Sequence, residues 1–363
     1  MPLPNASPMS VEAVLLEFDK RRETLASLCE KTKDLIEECL QDANIRYQSV
    51  QARVKTSKKL REKYSNPDKK YKCLDDITDL VGLRIITYYE DEVDRVAGII
   101  EREFQIDPEN SVDKRNTDPD RFGYHAVNFV CRHTEKRRSD VPYKKFGSTC
   151  CEVQVTSILR HAWSEIEHDW YDLREAFPSD IKRRFYRMAA LLEIAESEFL
   201  ELRKKKGNYF KSVDLQVEAQ VSGVPLNSVS LKSFISQDPI VERIDKVLVG
   251  LTGSQWAGEI SDEFLSRRCE IARKVGINTI EEIREALVKY ELGISKYFAR
   301  CLKFWDTLAP LPQGVCVFNL ITMIAISREV DLSSIIEGWA DPQFSDYWSK
   351  QIEAAKEVVA EYS

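Results

Sequence analysis

Leu80-Val81-Gly82-Leu83-Arg84-Ile85-Ile86-Thr87-Tyr88-Tyr89 is the stretch whose reading decides the fold. It is β-branched and aromatic, and it reads as a buried strand. Arg84 faces the same side as Gly82 and Ile86. A charge inside an apolar strand is costly unless it is paired, so a ligand or a carboxylate partner is expected. Asp79 stands at the strand's entrance.

Working outward, residues 92–104 read as a helix, 124–131 and 150–155 as two more strands, and 157–173 as a second helix. Upstream, Val11, Leu15, Phe18, Leu25, Cys29, Ile36 and Cys39 recur at helical spacing, with Arg22 and Thr32 interrupting the seam. Arg53-Val54-Lys55 reads as an extended lead-in to the basic helix from Lys58 to Lys63. Strands and helices in this first part, followed by an all-helical remainder, are read as α+β. Downstream, Ile181, Phe185, Met188, Leu192, Ala195, Phe199 and Leu202 alternate steps of four and three, a heptad seam. It suits packing against the chain's own first helix or a contact between copies in a homo-oligomer. The polar run from Arg203 to Asn208 reads as that helix's end. Residues 211–238, with Gly223 and Pro225, read as a linker. Thr279-Ile280-Glu281-Glu282 reads as a capping box opening a helix. Residues 294–308, 315–329 and 343–361 read as further helices. The expected organisation is therefore an α+β unit over 1–210, a linker over 211–238 and an all-α C-terminal domain over 239–363.

Composition narrows the functions. At 363 residues, 43% hydrophobic and 31% charged, the chain reads as soluble and globular. A net charge of -7 argues against a mainly electrostatic nucleic-acid coat but permits a local basic groove. The start shows no signal-peptide pattern, and the apolar stretch 314–326 is too short to span a bilayer, so no membrane association is expected. Nine cysteines without a CxxC pair suit a reducing cytoplasm and ordinary core positions.

The chemistry lies in four segments. Arg53 and Lys55 sit two apart, so both cations can face one polyphosphate, with Lys63 joining from the helix. An Arg can also lie flat on adenine. Asp79 and Glu152 are carboxylates on neighbouring strands, suited with phosphate oxygens and water to Mg²⁺. Such a metal neutralises leaving phosphates and lowers the pKa of an attacking hydroxyl. Glu152 can instead act as general base. On the same strand Glu152, Gln154 and Thr156 share one face, and Cys151, Val153 and Val155 the other. Phe122-Gly123-Tyr124 opens a strand, and Tyr124 can stack on a purine, worth roughly 1–3 kcal/mol. His161, Glu165 and His168 share one helical face but do not match HExxH, which leaves them a buttressing role. Taken alone, each segment also fits a blander role: a solvated helix start, carboxylates at strand ends, or a core Tyr.

In order, the Arg-Val-Lys lead-in, the Asp-x-x-Gly-x-Arg strand, the Gly-Tyr loop and the Glu-x-Gln-x strand resemble the RelA/SpoT alarmone synthetase domain, over roughly residues 45–172. The resemblance implies a mixed sheet flanked by helices, related to nucleotidyltransferases. It implies transfer of the β,γ-pyrophosphate of ATP to the 3′-hydroxyl of a guanosine nucleotide, giving (p)ppGpp. By position, Arg53 and Arg84 would sandwich adenine, and Lys55 and Lys63 would contact ATP phosphates. Asp79 and Glu152 would hold Mg²⁺ as the catalytic pair, and Tyr124, with Asn128 and Gln154, would receive the acceptor. Three positions depart from the pattern: Asn128 stands where the family has His, Thr156 where it has Arg, and Lys59 where it has Ser. The segment ahead of residue 45 contains no His, so the family's hydrolase metal site is not expected. Some short members are toxins that modify the 3′ end of tRNA. Stretches such as 136–138, 144–145, 182–184 and 203–206 could meet an RNA backbone. A third alternative is a degenerate fold that senses nucleotides, against which Asp79 and Glu152 speak.

Overall fold

The computed structural model describes residues 8–113, 126–171, 177–253, 255–258, 260–302, 310–330 and 345–362. The chain divides into two compact units, Met1–Arg203 and Lys204–Ser363.

The first unit opens with helix α1, Val11–Asp42, whose N-cap Ser10 side chain accepts from the Ala13 N–H. Strand β1 (Tyr47–Val54), helix α2 (Ser57–Tyr64) and strand β2 (Val81–Thr87) follow. Next come α3 (Glu90–Glu103), β3 (Phe104–Asp113), β4 (Val127–His133), the short helices α4 (Glu135–Ser139) and α5 (Val141–Lys144), β5 (Cys151–Ser157) and α6 (Ile158–Tyr171). Helix α7, Ser179–Glu218, runs through the division between the units.

The five strands form one mixed sheet in the order β1-β2-β5-β4-β3. β2 and β5 run parallel, and every other neighbouring pair is antiparallel. Period-two alternation gives the central strands two different faces. Val81, Leu83 and Ile85 of β2, and Cys151, Val153 and Val155 of β5, are buried in a core shared with α1 and α3. Gly82, Arg84, Glu152 and Gln154 are only half-buried on the other face. Thr156, which alternation places with them, is fully buried.

Thr32, read as an interruption of the α1 seam, is buried and lies 3.1 Å from His133 Nε2, with Oγ1 as partner. The polar group is thus satisfied inside the core. The polar run 203–208 does not end its helix: α7 continues to Glu218. Lys and Arg are good helix formers, and one Gly costs only about 1 kcal/mol. Met188, Phe199 and Leu202 of the heptad seam stay half-exposed.

The span 211–238 holds the last turns of α7, where Val213 and Val217 are buried, then a bridge between Pro225 and Thr279, then helix α8 (Ser228–Gln237). Asn227 caps α8 through the Val229 and Ser230 N–H groups, a signal hidden in a Ser-rich stretch.

The second unit adds α9 (Pro239–Thr252), α10 (Asp262–Lys274), α11 (Ile280–Leu302), α12 (Val315–Ser327) and α13 (Ser345–Tyr362). The capping box is present: the Glu282 carboxylate accepts from the Thr279 N–H, and the Thr279 hydroxyl from the Glu282 N–H. The separate helix expected from 294 is a continuation of α11. Helix α12 is apolar nearly all round and packs against α9, α10, α11 and α13, as a central helix must. Its first amides are capped from a distance: Asp245 on α9 accepts from the Gly314 N–H at 2.5 Å and the Cys316 N–H at 2.8 Å. All nine cysteines are free thiols. No helix among the described residues is long and apolar enough to cross a membrane.

Candidate active site

The half-buried face of the sheet arranges its side chains in two rows. Arg53 pairs with Gly82, and Gly82 with Glu152. One pleat away, Gln51 pairs with Arg84, Arg84 with Gln154, and Gln154 with Asn128. Apart from Asn128, these residues line a cavity of about 280 Å³ together with Ala52 and Leu83. The space over Gly82 is open: a Cβ built there would meet nothing within 4 Å. Arg53 and Glu152 thus face each other across a gap one strand wide.

Asp79 stands two residues ahead of β2, outside the residues that line this cavity. Its Oδ2 takes two ammonium groups, Lys55 Nζ at 2.8 Å and Lys63 Nζ at 2.7 Å. Lys55 is brought there because its own N–H donates to the Leu80 carbonyl, which continues the β1–β2 ladder. Lys63 arrives on α2, which is capped by Thr56 and anchored by the fully buried Leu60. Burial alone would push the Asp79 carboxyl up, but the hydrogen bonds and charges of Lys55 and Lys63 outweigh it and hold the group below the usual range. Asp79 is therefore a carboxylate, and its Oδ1 is buried with no hydrogen-bond partner among the described residues. An unsatisfied buried carboxylate oxygen is what an incoming cation can use. Among the described residues no group of three or more His, Cys, Asp or Glu gathers as a metal cage. Mg²⁺ needs no such cage when phosphates and water supply the remaining ligands.

Arg84 has the partners that its buried position demanded. Its Nε donates to Gln154 Oε1 at 2.7 Å, and its Nη1 reaches His161 Nδ1 at 3.2 Å and Glu165 Oε1 at 2.5 Å. Gln154 Nε2 donates onward to Asn128 Oδ1 at 3.2 Å. The residues on either side of this chain, read as belonging to the donor and acceptor halves, are thereby linked. His161 and Glu165 were legible as one helical face. That this face serves Arg84 follows only from how α6 crosses the sheet. Gln51 was missed, although alternation from Arg53 along β1 points to it. Trp163 on α6 is buried, with its ring 4.3 Å from that of Phe185 on α7, whereas His168 is exposed. Tyr124 and its Gly-Tyr loop lie outside the described residues.

Residues 52–174 match the family described as the region found in RelA / SpoT proteins. The match spans β2 and β5 and all the described residues of the cavity except Gln51. Similar solved structures include small alarmone synthetase 1 from Bacillus subtilis, at 19% identity and a TM-score of 0.43, covering 52% of this chain and 99% of that one. The same enzyme bound to its product pppGpp gives 20% identity, a TM-score of 0.41 and coverage of 52% and 95%. A GTP pyrophosphokinase family protein from Streptococcus pneumoniae gives 22%, 0.43, and 55% and 97%. No curated protein matches.

Proposed function

We propose, from the RelA/SpoT-type domain at residues 52–174, that this chain is an ATP-dependent pyrophosphokinase that moves the β,γ-pyrophosphate of ATP to the 3′-hydroxyl of a guanosine nucleotide, making (p)ppGpp. The observation that carries this reading is Asp79 with Lys55 and Lys63 gathered on one of its oxygens, two residues ahead of the strand whose Gly82 and Arg84 line a cavity with Arg53 and Glu152. Phosphoryl-type transfer depends mainly on positioning and charge neutralisation, and these residues supply both.

Two ammonium groups sharing one carboxylate oxygen repel each other. A triphosphate, with several negative oxygens, gives both of them new partners. Lys55 and Lys63 then turn to the phosphates, and Asp79 is left as a ligand. Asp79, with its unpartnered Oδ1, and Glu152 would hold Mg²⁺, which would neutralise the leaving phosphates and lower the pKa of the attacking hydroxyl. Arg53 and Arg84 offer guanidinium faces for the adenine. Glu152, beside the gap at Gly82, is placed to receive the acceptor's proton. Gln154 and Asn128 form the polar edge on the acceptor's side, where Tyr124 would supply the stacking face.

A nucleotide acceptor is favoured over tRNA because several arginines of the basic stretches serve the fold. Arg137 donates to the Glu103 carbonyl and carboxylate, and Arg203 pairs with Asp91 and lies over the Tyr89 ring. The test is to incubate the full chain with Mg²⁺ and γ-labelled ATP, offering GDP, GTP or bulk tRNA. Label on GDP or GTP is expected. Label on tRNA alone, or no transfer with ATP still bound, overturns the reading in favour of a tRNA-modifying enzyme or a nucleotide sensor. Asp79→Ala is expected to reduce transfer at least about a thousandfold while the chain stays folded, the scale on which removed phosphate-transfer electrostatics is felt.

A further inference from the structure

The donor site includes a positioning device on α6. Arg84 is held at two different corners of its guanidinium: Gln154 takes Nε, while His161 and Glu165 take Nη1. A single hydrogen bond at Nε would leave the group free to swing, whereas two holds at separate corners define its plane. His161 and Glu165 are one helical turn apart, so one face of α6 presents both.

We propose that Glu165 and His161 are positioning residues for the donor nucleotide, setting the plane of Arg84 on which its base stacks. This role rests on the reading of Arg84 as an ATP contact. An Arg side chain has many rotamers, and a plane fixed beforehand reduces what binding must order. The chemistry of the contacts agrees. An arginine nitrogen only donates, so His161 Nδ1 accepts, its proton sits on Nε2, and the ring is neutral. Burial, then the charge of Arg84, pushes the imidazole pKa down and favours that form. The Glu165 side chain is 61% exposed, and an exposed ion pair adds little to stability. Its loss should therefore be felt by the ligand rather than by the fold. The outward link from Gln154 to Asn128 gives the same plane a connection to the acceptor's side.

The test is a double-mutant cycle on the full chain with Mg²⁺, reading the Kd of a fluorescent, non-hydrolysable ATP analogue and, separately, kcat and the KM for ATP. Glu165→Ala and His161→Leu are each expected to weaken analogue binding and raise KM about 3- to 10-fold, with kcat within about twofold and the melting temperature unchanged, as for lost uniform binding. His161→Asn, whose amide oxygen can accept in place of Nδ1, should recover most of the loss. In an Arg84→Ala background, Glu165→Ala should have no further effect, because both act through one group. An equal loss in that background, or wild-type affinity in the Glu165→Ala chain, overturns the role. Wild-type transfer without coupling in the cycle would reject this role alone. Coupling without transfer to any acceptor would reject the pyrophosphokinase reading alone. A wild-type chain that binds no analogue would reject both.

Discussion

Gly82 shows how one missing side chain makes a site. It is the middle member of the row Arg53, Gly82, Glu152, and all three line the cavity. A Cβ there meets nothing within 4 Å, and a β-branched residue suits a strand. Gly82→Val is therefore expected to keep or raise the melting temperature while lowering pyrophosphate transfer more than about tenfold, the order of effect seen when reacting groups are displaced by about 1 Å. Parallel measurement of melting and transfer checks this, and loss of both together would place Gly82 in the fold instead. In sequence Arg84 stood out as a charge inside an apolar strand, and Gly82 was read as sharing its face. Their partners did not stand out, because pairing across strands is set by register and not by distance along the chain.

Helices and strands here depend on single polar groups in buried places. His133, on β4, reaches Thr32 of α1 and packs beside Phe104, Tyr143 and Phe146. Burial first, then the charges of Arg137 and Arg138, pushes its pKa down from 6.5 to about 4. Because the native form resists a proton that the unfolded chain accepts, stability is full above pH 6.5 and falls as the pH drops towards 4. One pK unit is about 1.4 kcal/mol, so the loss is at most roughly 3 kcal/mol. Urea unfolding at about pH 7 and about pH 4.5 should show this loss in the wild type and less of it in His133→Gln. Helix α12 poses the opposite case, an apolar helix whose N-terminus is capped by Asp245 from another helix. Gly314 makes that approach with φ +80, and a Cβ there would lie 2.7 Å from Ile235. Gly314→Ala is expected to destabilise the helical unit by roughly 2–4 kcal/mol, from the left-handed backbone and overpacking together. It should leave ATP-analogue affinity within about twofold; calorimetry and analogue titration check both.

At the scale of the whole molecule, the chain has two cores. One lies between the sheet and helices α1 and α3, and the other gathers around α12. The first unit contains every described residue assigned to the site. A chain of residues 1–218 with Val213→Ser and Val217→Ser, which removes two apolar surfaces belonging to the second core, is expected to melt cooperatively and to bind the ATP analogue within about threefold of the full chain. Failure to melt cooperatively would show that the first core does not suffice. The sequence alone determined strands β2, β4 and β5, the longer helical stretches, the apolar back of β2 and β5 and the residue types of the donor half, because period and composition are local properties; β3 and most of β1 were not read from it. It did not reveal that α7 passes through its basic run, or that the stretch before Pro239 is largely helical, because caps and long-range packing decide those. Only the tertiary structure brought Lys55 and Lys63 onto one oxygen of Asp79, and His161 and Glu165 onto Arg84. Those contacts join residues up to 81 positions apart, and sheet register together with the path of α6 is what closes that distance.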